Sequence, residues 1–115
     1  FQICSTINIF NIFSLAKLAM WARQFKPRFF YVNTCFDPDI FNIQTLPKQI
    51  KNIVNARYSN LKDFKGTLRY MNSADRDTQA IRDFRKQRIL KADMYRKENF
   101  GDTFPLLNNI LKIYE

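Results

Sequence analysis

The chain has 115 residues, 46% of them hydrophobic, and carries a formal net charge of +9 at pH 7. This length and apolar content suffice for one modest core and exclude a second full domain. The sequence contains no His, so the commonest general base and the commonest zinc ligand are missing, which argues against a catalytic triad or a hydrolytic zinc site. A membrane span is not expected, because Lys17, Arg23 and Lys26 interrupt the most apolar stretch.

The two cysteines, Cys4 and Cys35, are far apart in the sequence and lie among apolar residues. This pattern favours reduced thiols in the core of a cytoplasmic protein over a disulfide framework, and leaves a metal or redox role as the alternative.

The first third of the chain has the pattern strand, helix, strand. Residues 2 to 8 suit a strand covered on both faces, with Cys4, Thr6 and Asn8 on one of them. Ser14 is predicted to cap a helix that ends before Pro27, and residues 28 to 35 form a second β-prone run. The apolar positions of that helix follow helical spacing: Leu15, Leu18, Ala19 and Ala22. This order predicts an α/β fold built on a βαβ unit with two parallel strands.

The remainder of the chain is predicted to contain at least three helices. Thr45 is the expected cap of the first, Ser73 of the second, and Thr103 with Pro105 starts the last, while Gly66 and Gly101 interrupt the pattern. The first helix has one long apolar stripe: Leu46, Ile50, Ile53, Val54, Tyr58 and Leu61. The second is expected to be largely exposed, with a narrow stripe of Ala80, Ile81 and Phe84. Residues 1 to 45 therefore read as a βαβ part and residues 46 to 115 as a helical tail.

Ligands of parallel α/β sheets bind beyond the carboxyl ends of the strands. Here these positions are residues 8 to 11 and 33 to 37, whose Asn side chains could bind a ligand or could brace turns. Asp37 and Asp39 flank Pro38, which favours a turn over a divalent-cation site.

Residues 48 to 115 hold fifteen of the nineteen basic residues. The stretch from Arg82 to Arg96 includes Phe84 and Tyr95, which would suit nucleic acid as well as a solvated helical surface. A nucleic-acid-binding module is therefore an alternative function. A partner-dependent domain that pairs through its open sheet edge is another.

Several segments resemble the latter part of the barrel of radical S-adenosylmethionine (radical SAM) enzymes, most closely those with a shortened, twitch-type C-terminal extension. In the first half they are Ser5 to Leu15, Trp21, Tyr31-Val32-Asn33, Asp37-Pro38, and Phe41 to Pro47 with Lys48 and Lys51. In the tail they are Asp93-Met94-Tyr95-Arg96, Asn99-Phe100 and Thr103-Phe104-Pro105-Leu106-Leu107.

The resemblance implies a fragment of a partial, six-stranded TIM-like barrel, of which this chain supplies the fifth and sixth strands and the trailing helices. Thr6, Asn8 and Asn33 would then contribute to binding of the cofactor, S-adenosylmethionine, with Asn11 as a further candidate. The parent enzyme would also hold a [4Fe-4S] cluster on a three-cysteine loop after its first strand. That loop and the Gly-Gly-Glu segment of the family are not in this sequence. The chain alone is therefore expected to bind neither group, and to be inert without a missing N-terminal half of the barrel.

Overall fold

A computed structural model describes residues 1 to 115. Strands β1 (Gln2–Ile7) and β2 (Phe29–Thr34) pair in parallel and are joined by helix α1 (Leu15–Gln24). The register runs from Gln2 opposite Phe29 to Ile7 opposite Thr34. The predicted βαβ unit is confirmed, because the β-branched and aromatic runs and the apolar helical spacing all formed the expected elements. Two strands do not define a barrel, so the TIM-like assignment stays a prediction.

Only one face of the sheet is covered, and the prediction that both faces would be buried is wrong. Ile7 is fully buried, whereas Phe29 and Tyr31 lie on the open face and are about half exposed. Alternate residues of a strand point to opposite faces. Ile7 shares the hydrophobic core with Leu15 of α1 and with Phe64 of the 3-10 turn Lys62–Phe64, so these elements lie on the covered face. The ring of Phe30 meets that of Phe64 edge-on at 6.5 Å.

The cysteines are not core residues, contrary to prediction. Cys4 is exposed, Cys35 is partly exposed, and both are free thiols. Cys4 lies on the open face of the sheet, which the local apolar sequence did not reveal.

Ser14 is the N-cap residue of α1, as predicted, but its side chain makes no capping hydrogen bond, because its backbone is not in the extended conformation that capping requires. The predicted cap of the next helix, Thr45, is wrong. Helix α2 (Lys48–Tyr58) begins after Pro47. Thr45 lies instead in the 3-10 turn Ile43–Thr45, where its hydroxyl donates to the carbonyl of Asn42.

Helix α3 (Lys65–Asn72) was not predicted, and Gly66 lies in its first turn instead of interrupting the chain. Ser73 closes this helix, because its hydroxyl donates to the carbonyl oxygen of Tyr70. The cap of helix α4 (Gln79–Arg96) is Thr78, which accepts a hydrogen bond from the backbone of Ile81. The Ser73 prediction is therefore also wrong.

The buried stripe of α4 also differs from the expected one. It consists of Arg85, Ile89 and Asp93, while Phe84 is exposed. Residues four apart lie on one side of a helix, so the whole helix is rotated from the orientation that its few apolar residues suggested.

The chain ends in two short helices, α5 (Phe100–Thr103) and α6 (Pro105–Leu111). Gly101 lies inside α5, and Thr103 ends α5 without starting α6. Pro105 does occupy the first turn of α6, as predicted.

One hydrophobic core joins these elements. It extends from Ile7 in β1 through Val54 and Phe64 to Ile113 near the C-terminus. The division into parts at residue 45 stays a prediction. No helix combines the length and the apolar character that crossing a membrane requires.

Candidate functional site

The carboxyl ends of the strands bring Thr6 and Asn33 together. The two residues are register partners on the open face of the sheet, and both are exposed. The Asn33 amide nitrogen donates to the Cys4 sulfur at 3.1 Å. Sulfur is a weak acceptor, so a ligand with an oxygen or nitrogen acceptor could take over this donor at little cost.

Asn8 and Asn11 build the turn that follows β1. The Asn8 side-chain oxygen accepts from the backbone nitrogens of Phe10 (2.9 Å) and Asn11 (3.3 Å). The Asn11 side chain accepts from the Asn8 backbone nitrogen and donates to the Thr6 carbonyl, both at 2.9 Å. These bonds support the turn-bracing interpretation for both residues, while the Asn8 side-chain nitrogen makes no hydrogen bond within this network.

Aromatic rings lie on the same open face of the sheet, toward the amino end of the strands. The rings of Phe29 and Tyr31 stack with centroids 5.8 Å apart, and the guanidinium of Arg28 lies 5.6 Å from the Phe29 centroid. Polar groups at the carboxyl end and stacked rings at the other end therefore share one uncovered surface, here termed the open sheet face: Gln2, Cys4, Thr6, Phe29, Tyr31 and Asn33.

The acidic residues Asp37 and Asp39 lie in the bend and the 3-10 turn that follow β2. The Asp37–Pro38 peptide bond is cis, and Asp39 forms an ion pair of 3.0 Å with Arg76. No third Asp, Glu, Cys or His joins them in a group able to hold a metal ion.

A buried polar network underlies the segment from Asn42 to Leu46 and was missed by sequence reasoning. Lys51 donates to the carbonyls of Gln44 (2.9 Å) and Ala74 (3.0 Å), and burial lowers the pKa of its ammonium group. The Gln44 side chain donates to the carbonyl of Tyr70 at 3.0 Å. These bonds attach the segment to α2 and α3, which explains why polar residues interrupt an otherwise apolar run.

A cleft of about 450 Å³ is the second feature that the sequence did not reveal. It lies between the end of α4, helix α5 and the loops after β1 and β2, and Phe10, Phe41 and Phe104 form much of its apolar surface. The buried carboxylate of Asp93 and the exposed guanidinium of Arg96 also line it. The Asp93 to Pro105 segment was singled out by resemblance, but nothing in its local spacing indicated a cavity.

The outward side of α4 combines exposed aromatic and basic residues. Phe84, Arg88, Lys91 and Tyr95 follow the helical spacing of four, three and four residues, and all four are exposed. The guanidinium of Arg88 lies 5.9 Å from the Phe84 ring centroid. The expected basic stretch is thus an ordered surface, here termed the α4 stripe.

Comparisons with known proteins identify no relative. No protein-family model matches the chain, and neither the curated proteins nor the solved structures contain a match.

Proposed function

We propose that this chain forms the carboxyl-terminal part of the barrel of a radical SAM enzyme, in which the open sheet face lines the site for S-adenosylmethionine and substrate. The observation that carries the proposal is the pairing of Thr6 with Asn33 at the carboxyl end of the uncovered face. In TIM-like barrels the helices cover the outer face of the strands, and ligands bind at the carboxyl ends. The sheet of this chain is covered on one face and open on the other, which is the arrangement that a barrel wall requires.

The residues present do not fit the iron–sulfur cluster. A [4Fe-4S] cluster is held by cysteine thiolates, and the two cysteines here are engaged separately, Cys4 with Asn33 and Cys35 with the carbonyl of Asp37. The cluster site would therefore belong to another part of the polypeptide.

The residues do fit the adenosine part of S-adenosylmethionine. The Thr6 hydroxyl and the Asn33 amide offer donors and acceptors for a ribose or a base edge. The ring of Tyr31, two residues before Asn33 on the same face of β2, adds an apolar surface next to them. When bound, S-adenosylmethionine supplies the radical chemistry, whereas these side chains would bind and orient it.

The first test is to read the gene on the 5′ side of the Phe1 codon. The proposal requires an in-frame Cys-x-x-x-Cys-x-x-Cys loop there, and a reading frame without this loop would overturn it.

The second test uses the longer polypeptide with its cluster reconstituted. Thr6→Val and Asn33→Ala should each raise the KM for S-adenosylmethionine about fivefold to tenfold, the loss expected for one hydrogen bond. Gln2→Ala is the matched control, since Gln2 lies on the same face at the amino end of β1. Equal effects at Gln2 and Thr6 would contradict the assignment.

The α4 stripe favours a second candidate function, the binding of single-stranded nucleic acid. Aromatic side chains can stack on bases of any sequence, and interleaved cations neutralise phosphates. Phe84 and Tyr95 are 50% and 72% exposed, which leaves both rings free to stack.

Fluorescence anisotropy with a labelled single-stranded oligonucleotide tests this candidate. A plot of log affinity against log salt concentration should have a negative slope, and its magnitude should fall by about 1.4 in the Arg88→Gln, Lys91→Gln double variant. Absence of binding at low salt would exclude this function.

A further inference from the structure

The cleft beside α4 is of a size suited to a small ligand and is built from distant segments. Its volume is about 450 Å³, within the range of about 300 to 1,000 Å³ typical of ligand sites. The open sheet face contributes no residue to it, so it constitutes a separate candidate site.

An aromatic cluster provides the apolar part of the cleft. The Phe10 ring lies 5.1 Å from that of Phe41, 6.1 Å from Phe100 and 5.6 Å from Phe104, measured between centroids. The four rings come from the turn after β1, the turn after β2 and helix α5 with its C-terminal flank. Such a surface binds an apolar or aromatic side chain by excluding water from both partners.

Asp93 places a carboxylate at this surface with one oxygen unused. The side chain is 92% buried, and its Oδ2 atom accepts from the Phe100 backbone nitrogen and from the Tyr114 hydroxyl, both at 2.7 Å. The bond to the carboxylate raises the pKa of Tyr114. The other oxygen, Oδ1, has no protein donor, and Asp93 lines the cleft. A fixed carboxylate of this kind is suited to bind an ammonium group.

Arg96 places a cation one helical turn from that carboxylate. Residues three apart on a helix are neighbours on its surface. Arg96 is exposed, lines the cleft and takes part in no ion pair of the protein. Arg88 lines the cleft two turns earlier, and Glu98 is the second acidic residue there. The cleft thus has both charges beside an apolar surface.

We propose that this cleft binds a free α-amino acid with an apolar or aromatic side chain. An α-amino acid carries its ammonium and carboxylate groups on one carbon atom. The ammonium group would bind Asp93 Oδ1, the carboxylate would bind the guanidinium of Arg96, and the side chain would lie on Phe10, Phe41 and Phe104.

Titration of the ¹⁵N-labelled chain with L-phenylalanine tests the proposal. Saturable shifts are expected at the amides of Ala92, Asn99 and Phe100. Three analogues each lack one group: 2-phenylethylamine has no carboxylate, 3-phenylpropionate no ammonium and glycine no apolar side chain. Each should bind at least about tenfold more weakly, since each loses a charged hydrogen bond or the apolar contact.

The Arg96→Gln variant separates the two ionic contacts. It should weaken L-phenylalanine about tenfold and leave 2-phenylethylamine unchanged. Asp93 is left intact because it also holds Phe100 and Tyr114 in place. Arg69→Gln on α3 is the matched control, since Arg69 is exposed and does not line the cleft.

Three results would overturn the proposal. The first is no saturable shift in the cleft with L-phenylalanine. The second is binding of 3-phenylpropionate as tight as that of L-phenylalanine, which would define a site for apolar anions. The third is tighter binding of adenosine monophosphate, which would define a nucleotide site.

Discussion

Replacing Arg85 by Met should stabilise the protein. Arg85 is 1% exposed, and its guanidinium makes a single hydrogen bond, from Nη1 to the Thr45 hydroxyl oxygen at 3.2 Å. Its Nε atom is buried without a partner. No carboxylate forms an ion pair with it, and burial lowers its pKa. The chain therefore carries a buried cation that its surroundings compensate only in part.

The magnitude follows from two opposing contributions. A buried donor without a partner costs about 1 to 3 kcal/mol, which the replacement by Met recovers. Loss of the bond to Thr45 removes about 0.5 to 1.5 kcal/mol, although the Thr45 hydroxyl still donates to the Asn42 carbonyl. The expected net gain is about 1 to 2 kcal/mol, or roughly 4 to 8 °C in Tm for a chain of this size.

Urea unfolding followed by circular dichroism measures this change, with thermal unfolding as a second readout. Lys91→Met is the matched control, because Lys91 is an exposed cation on the same helix, and it should stay within about 0.5 kcal/mol of the parent chain. A loss of stability in Arg85→Met would refute the reasoning, since it would mean that the guanidinium has a favourable partner.

Three further variants test single polar contacts by urea unfolding. Burial lowers the pKa of Lys51 in the folded chain below 10.5, its ordinary value in the unfolded chain. Between these two pKa values the unfolded chain binds more protons than the folded chain. The stability of the folded chain should therefore rise as pH increases toward 10.5, and Lys51→Met should abolish that rise. The hydrogen bond from Arg82 Nε (2.7 Å) lowers the pKa of Asp77 below 3.8. The stability that the Asp77 carboxylate contributes is therefore present above pH 3.8 and is lost as pH falls through the lower pKa that Asp77 has in the folded chain. Asp77→Asn should lower the free energy of unfolding by under about 1 kcal/mol at pH 7 and leave it unchanged in strong acid. An equal loss at both pH values would contradict the link between the Asp77 pKa and stability. Tyr58→Phe removes a 2.8 Å bond to the Phe13 carbonyl and should cost about 1 kcal/mol, whereas an unchanged midpoint would show that this bond contributes nothing net.

The sequence by itself determined the elements that depend on local pattern. Strands β1 and β2 and helix α1 formed where period-two and helical spacing placed them, and Pro105 lies in the first turn of α6. These patterns are local consequences of backbone geometry, so they can be read without knowing the rest of the fold. Helix α3 could also have been found, because Phe64, Leu68 and Met71 follow helical spacing and are buried.

Only the tertiary structure decided which faces are covered. Cys4 belongs to an apolar stretch, yet it is exposed because the core that β1 shares with α1 and Phe64 lies on the opposite face of the sheet. Arg85 was expected at the surface, as charged residues usually are, but the turn at Thr45 covers it. The cleft brings Phe10 to Phe104 across most of the chain. Burial and cavities arise from contacts between distant segments, and local periodicity carries no information about such contacts.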